Sequence, residues 1–554
     1  MHPALEIPEI VLSVCNALVA KKEDATGDGP YDVHARALAA CAQTCRAFYM
    51  PAIMALWKYD DLMLETILLH CMPEDVWDTK PNTQGDAACS KLIYPKCPIL
   101  PADAERLLFY APLVNKLIVG WPVDGKFTRV WEAGLSKEGY EAVSSVLPHP
   151  AFVNMRHLIW YTGGASLSHI QQYLSPSLSS LTLKLTRAAR PHISLLSDLA
   201  DRCPFVTSFN LDTDDYSEGR GEVEVLHSRL IRAWDLHSLD SCILDHSSLI
   251  YLAQSPHLTQ LVNDRGDTLS WIPLSLPHKP FASLCYLHLR NIDMRLCMDL
   301  VQACTFTALR RLELFPFNPA AGDWKRLYTA IRAAHAQPQL LYSLEIEQWG
   351  FEETNVQGDP VTEDDIVSLL DFTELSTLSL ETLGGFDLEP ATLERMATTW
   401  PAMKMLSLRG VVRPEWQRRL TLYALVPLAM HCPKLNNLEL EFDGTGVSFD
   451  QNPPRPDTPS PLTALAVKWS PINSSRAVAA FLSVYFPHLR HVEASDELPG
   501  KRWGRVGELV PVFSKIREHE RMEAAGRAPP LYSWKITVDD CDLHSESSSD
   551  EEDE

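Results

Sequence analysis

The chain has no surplus of basic charge. Lys and Arg number 49 against 72 Asp and Glu, giving a net charge of −23 at pH 7. Nucleic acid and anionic membranes both demand a basic face, so this balance argues against either as a partner. Long apolar runs are missing as well, and nothing approaches the roughly 18–20 residues that span a bilayer. The first residues, "MHPALEIPEIVLSVCNALVAKKED", have early acids and two prolines where a secretory signal needs a basic n-region. Thirteen cysteines, an odd number, lie scattered without a framework, which points to free thiols in a reducing compartment. The expected location is the cytoplasm or the nucleus.

Signatures of chemistry are equally thin. "GWPVDGKFT" (120–128) spells a G-x-x-x-x-G-K frame, but Pro122 removes a backbone N–H and Phe127 stands where Mg²⁺ needs a hydroxyl. Cys41 and Cys45 sit one helical turn apart with no second pair or histidine nearby, so packed thiols are favoured over a metal or redox pair. "REHE" (517–520) lacks the H-E-x-x-H frame of zinc proteases, and no G-x-S-x-G elbow occurs. No enzyme, cofactor or metal is expected.

What the chain does have is 46% hydrophobic and 22% charged residues, an ordinary core-forming composition. Its 554 residues would suggest roughly three or four domains, unless repeats stack into one continuous core. Repeats are present. "RCPFVTSFNLD" (202–212), "TFTALRRLELFP" (305–316), "TWPAMKMLSLRG" (399–410), "HCPKLNNLELEFD" (431–443) and "YFPHLRHVEAS" (485–495) share one frame, apolar-x-x-apolar-x-apolar. It starts at Val114, Met155, Leu178, Val206, Leu239, Leu258, Leu284, Leu309, Leu341, Leu375, Met403, Leu435, Leu462 and Leu489. From Met155 onward the steps run from 19 to 34 residues. The starts at Leu239 and Leu258 are the weakest, and Asn263 fills the third anchor slot of the latter.

The last two anchors alternate around one residue, so they share one face of a short strand. Stretches at helical spacing, such as "WQRRLTLYALVPLAMH" (416–431) and "ATLERMATTW" (391–400), lie between frames. One strand and one helix cannot bury their apolar sides alone. Stacked copies can, with parallel strands inside and helices outside. Each buried Leu contributes roughly 1.5–3 kcal/mol, so the leucines are structural. This resembles the leucine-rich repeat family, in its longer and irregular form, over roughly residues 105–495. The family's Asn or Cys after the strand is mostly missing here. The expected class is therefore α/β, a horseshoe-shaped repeat solenoid.

Ahead of it, "ALEIPEIVLSVCNAL" (4–18) reads as a helix with Pro8 near its first turn and an apolar stripe of Ile7, Ile10, Val11, Val14, Cys15 and Leu18. A polar loop (20–32), a second helix (33–53) and a short third helix within "MALWKYDDL" (54–62) follow. The trio resembles the F-box that fungi, basidiomycetes in particular, place ahead of degenerate leucine-rich repeats. Ile7-Pro8-Glu9-Ile10, Cys15, Leu18, "LAACAQTCRAF" (38–48) and Leu56-Trp57 carry the likeness. Cys15 stands where a Phe is common. The resemblance implies that Ile7, Pro8, Ile10, Leu38 and Trp57 grip a Skp-type adaptor, which bridges to a cullin ubiquitin ligase while the repeats hold a target protein. A second reading makes these residues the end cap of a scaffold or inhibitor with no ligase. An adaptor site leaves Ile7 and Ile10 exposed, whereas a cap buries them.

The organisation expected is a helical module over 1–62, a linker over 63–104, repeats over 105–500 with a Pro-rich loop at 444–461, a helix-and-strand cap over 501–540, and a disordered acidic tail over 541–554. Tail serines 545 and 547–549, Thr458 and Ser460 are candidate phosphorylation sites, and equally ordinary features of a solvated tail and loop. Beside the anchors, on the concave side where partners dock, stand Glu313, Glu345, Glu347, Glu381, Glu439, Glu441 and Glu493, opposed by Arg311, Arg409 and Lys468. These acids suggest a groove that steers a basic segment of a partner. A chain of this charge also looks acidic almost anywhere.

Overall fold

A computed structural model describes residues 7–18, 30–59, 62–82, 91–120, 133–162, 166–213, 220–264, 269–270, 272, 276, 280–349, 359–411, 419–447, 458–495 and 498–524. The frame at 120–128, the loop at 20–32, the middle of the Pro-rich loop, the expected last strand and the acidic tail lie largely or wholly outside these residues. The chain divides into two units. The first is Met1–Val356 with Asp364–Thr373, and the second is Gln357–Glu363 with Glu374–Glu554. No helix among the described residues is long and apolar enough to cross a membrane.

The first unit opens with three helices: α1 (Pro8–Ala17), α2 (Pro30–Thr44) and α3 (Arg46–Tyr59). The single long helix expected over 33–53 is broken at Cys45, whose carbonyl receives the N–H groups of Phe48 and Tyr49 and so begins α3. Val11, Cys15, Leu38, Ala52 and Ala55 form the trio's own small core, with Leu18, Cys41 and Phe48 packed against it. The cysteines among the described residues are free thiols.

The repeats then build a parallel sheet. Its strands in the first unit are β1 (Leu62–Met63), β2 (Lys116–Val119), β3 (His157–Thr162), β4 (Ser180–Leu185), β5 (Ser208–Thr213), β6 (Ser238–Ser241), β7 (Gln260–Asn263), β8 (Tyr286–Asp293), β9 (Arg311–Phe317) and β10 (Ser343–Glu347), each paired with the next in chain order. The second unit continues the numbering with β11 (Thr377–Thr382), β12 (Met405–Gly410), β13 (Asn437–Leu440), β14 (Ala464–Lys468) and β15 (His491–Ala494), again in sequence order and parallel. Helices and 3-10 turns fill the crossovers. This is the α/β repeat solenoid that the frame predicts.

Register confirms the physics of the anchors. Leu117, Leu158, Leu181, Phe209, Leu239, Leu261, Leu287, Leu312 and Leu344 lie side by side across β2–β10, and every one is buried. This row corrects one frame start. Leu239 is a second anchor, so its repeat starts at Leu236, also buried, and Ser241 takes the third slot. Cys242 and Leu244, both buried, imitate the frame three residues late.

The expected linker over 63–104 is folded instead. β1 pairs with β2, with Leu62 opposite Leu117, so a repeat starting at Tyr59 precedes Val114. Trp77–Pro81 runs antiparallel to Lys91–Pro95, which pairs in parallel with Ala133–Leu135. Helix α4 (Leu64–Cys71) lies between, and its Glu65 is buried. The Gly120 N–H donates to Glu65 Oε1 at 3.2 Å. Gly120 has φ +82°, and a Cβ there would stand 2.2 Å from the Tyr161 carbonyl oxygen, so only glycine fits that turn.

At the far end, the helix Leu498–Ala524 covers the last repeat of the second unit. Trp503, fully buried, donates from Nε1 to the Ser470 carbonyl at 2.8 Å, and Val506 and Val510 are buried beside it. The exposed apolar edge of a terminal repeat needs such a cover.

Candidate functional site

Because side chains alternate along a strand, the residues between anchors lie on the face opposite the core. In the first unit one lateral row runs Asn210, Asp240, Val262, His288, Glu313, Glu345 across β5–β10. A cleft of about 310 Å³ opens here, lined by Asn210, Asp212, Asp240, Asp264, Tyr286, His288 and Glu313 among others.

Its polar groups are largely paired. Glu313 accepts from Tyr286 Oη at 2.9 Å and from His288 Nδ1 at 2.5 Å, and Arg311 Nε closes on its other oxygen. Burial alone would raise its carboxyl; the bonds from His288 and Tyr286 and the charge of Arg311 outweigh burial and hold it below the usual range. Asp264 meets Arg290 Nη1 at 2.9 Å, Lys184 Nζ meets Asp212 at 3.3 Å, and Asn210 donates to Asp240 at 2.7 Å. The Arg290 guanidinium also lies over the Trp349 ring at 4.0 Å. Glu345, next in the row, is raised by burial and then by the charges of Glu313 and Glu347. Crowded carboxylates of that kind are relieved by an incoming cation.

In the second unit Glu381 is paired with Arg409, and Glu439 accepts from Ser407 at 2.8 Å with Arg409 Nη1 3.9 Å away. Glu441 is half-buried and Glu493 exposed. Lys468 sits at a bulge with φ +39° and donates to the Gly410 carbonyl at 3.4 Å. Burial and then the charge of Arg409 lower its pKa. The seven glutamates are therefore no uniform acidic strip. Glu313 is a buried network centre, Glu381 and Glu439 share an arginine, and Glu345 lies beside Glu313 with its carboxyl raised by burial and by that neighbour's charge.

Sequence reasoning missed Asn210, Asp212, Asp240, Asp264, Tyr286 and His288. The signal was available: most of them occupy the fourth and sixth positions after Val206, Leu236, Leu258 and Leu284, the offsets that hold Glu313 and Glu347.

A second surface lies on the N-terminal helices. Along α1 the expected single stripe splits into two. Val11 and Cys15 face the trio's core, while Ile7, Ile10 and Val14 are 45%, 38% and 42% exposed. Pro8, at the first helical position, is exposed beside them. Tyr49, Met50 and Met54 of α3 are exposed as well. Leu38 is buried in the trio's core and so is withdrawn from the contact surface. Trp57 is half-buried, stacked on Tyr110 with ring centroids 4.7 Å apart, and ties α3 to the first repeats.

No protein-family model matches the chain, and no curated protein matches its sequence. Among solved structures it is similar to the Rad7 and Elc1 complex of yeast, at 13% identity and a TM-score of 0.34, over 73% of this chain and 87% of that one.

Proposed function

We propose that the chain is the target-holding subunit of a cullin-type ubiquitin ligase, an intracellular adaptor of the cytoplasm or nucleus that performs no bond chemistry itself. Its F-box-like helices dock a Skp-type adaptor, and the open face of its repeat sheet holds a target protein through a basic segment. The carrying observation is the second apolar face of α1. A helix with apolar residues on both sides is short of a partner, and Ile7, Ile10 and Val14 form an exposed apolar edge of the kind that marks a docking site. Glu345 supports the second half: it is half-buried on the open face beside Glu313, its carboxyl raised by burial and then by the Glu313 charge, and a Lys or Arg placed there would relieve that repulsion. Holding a target beside the transfer machinery raises its effective concentration, which is all that such an adaptor contributes.

The test is co-purification of a Skp-type adaptor with the full chain and with an Ile7→Asp/Pro8→Ala/Ile10→Asp variant of equal fold. Adaptor retained by the first and lost from the second supports the reading. Adaptor recovered with neither, from folded protein, leaves a repeat scaffold that binds its partner without a ligase.

A further inference from the structure

A cluster on the rim of the first unit stands apart from both surfaces. Asp235, His237 and His257 are all exposed, and one ligand atom from each lies within 4.8 Å of the others. Asp235 and His257 occupy the same position in neighbouring repeats, directly before the first anchors Leu236 and Leu258, which are both buried. His257 Nδ1 is 2.7 Å from Asp235 Oδ2, and the two imidazole rings meet edge to face at 5.7 Å. The backbone beneath is fixed: the N–H groups of Thr259 and Gln260 and the Thr259 hydroxyl all donate to the His237 carbonyl.

We propose that Asp235, His237 and His257 bind one divalent transition-metal ion, and that the ion clips together the repeats of β6 and β7. Two imidazoles and a carboxylate are the donor set of Zn²⁺ and its neighbours, and a poor one for Mg²⁺ or Ca²⁺. Bonds of about 2.0–2.2 Å in tetrahedral geometry bring donors to about 3.3 Å apart, a closure that exposed side chains reach by rotation alone. Coordination then replaces the hydrogen bond between His257 and Asp235, any proton displaced from the imidazole leaving to solvent, and water takes the remaining position.

The place gives the clip its purpose. Among the described strands only β6 and β7 carry polar third anchors, Ser241 and Asn263. Ser241 is satisfied by the backbone of Ile243 at 3.1 Å, but Asn263 is fully buried with neither side-chain polar atom bonded. The weakest joint of the core is therefore the one that the cluster spans from outside. A metal bound only by the folded array stabilises it by mass action.

The experiment uses the full chain, freed of metal with a chelator and titrated with Co²⁺ and Zn²⁺. The site predicts one equivalent of Co²⁺ with a tetrahedral visible spectrum and no thiolate charge-transfer band, lost in His237→Ala/His257→Ala and weakened about tenfold or more in Asp235→Asn. Zn²⁺ should raise the melting temperature of the parent and not of the double variant. An unchanged Co²⁺ spectrum in the double variant, or a thiolate band in the parent, overturns the site. Binding lost with no difference in the Zn²⁺-induced melting shift overturns the clip.

Discussion

His288 Nδ1 lies 2.5 Å from Glu313 Oε2, and the two residues face each other on β8 and β9 at the floor of the open face. Tyr286 and Arg311 complete the ring around that carboxylate. Four polar side chains from adjacent repeats thus act as one network around the buried Glu313 and His288, with Tyr286 half-buried and Arg311 reaching in from the exposed side.

Glu313→Gln should therefore destabilise the chain by about 1–3 kcal/mol, because Arg311 loses its counter-charge and His288 loses a charged acceptor. A shift of the urea midpoint to lower concentration at pH 7 measures it. The depressed pKa gives the sign with pH: the contribution is present above the carboxyl's ordinary value of 4.5 and fades as pH falls below it. An unchanged midpoint would mean the network adds nothing to the fold.

Much of the solenoid was legible because its signal is local. Three anchors within six residues report a strand and its buried face, and the frame starts other than Leu239 lead into strands of the sheet. The misplaced start came from chemistry as apolar as the true one, since Cys242 and Leu244 are buried as fully as anchors usually are. The missed repeat has its strand at Leu62–Met63, in a frame Tyr59-x-x-Leu62-x-Leu64 that opens on an aromatic residue where the recognised frames open on Leu, Val or Met. The cleft is another matter. Asp240 meets Asn210, and His288 meets Glu313, only through lateral register between repeats 25 or 30 residues apart. No single stretch of sequence carries that pairing, and the same register converts an apparent excess of acids into ion pairs. On α1, periodicity located both apolar faces but could not say which one the trio would use.

Asn263→Leu should stabilise the chain. The native side chain is fully buried and both its polar atoms lack partners, which costs about 1–3 kcal/mol. Leucine restores the anchor that neighbouring strands place there, Leu289 on β8 being the nearest example. Thermal unfolding of the variant is expected at higher temperature, and a fall would mean that the amide is satisfied by buried water.

The two faces of α1 should respond oppositely to substitution. Ile10→Asp, on the exposed edge, is expected to change stability by no more than about 0.5 kcal/mol. Leu38→Ala, in the trio's core, should cost about 2–5 kcal/mol. Denaturation of the two variants side by side separates a docking face from a packed one. Equal losses would show that Ile10 is covered within the chain, and the docking proposal would fall with it.

Glu65 offers a test by pH. Burial pushes its carboxyl up to about 7 from an ordinary 4.5, against the lowering effect of backbone bonds including that from Gly120. Its Oε2 has no partner, and the buried Tyr173 hydroxyl, itself raised by burial and by the Glu65 charge, is also unbonded. A raised folded-state pKa means that the group favours folding most below pH 4.5 and that this advantage is lost as pH rises through about 7. Glu65→Gln keeps an oxygen for the Gly120 N–H and removes the charge. Relative to the parent it should gain up to about 3 kcal/mol at pH 8 and nothing at pH 4, read as the difference between two denaturation series across that range. A gain that did not vary with pH would show that the Glu65 carboxyl titrates alike in the folded and unfolded chain, its charge reached by water or by an ion, and would overturn the raised pKa.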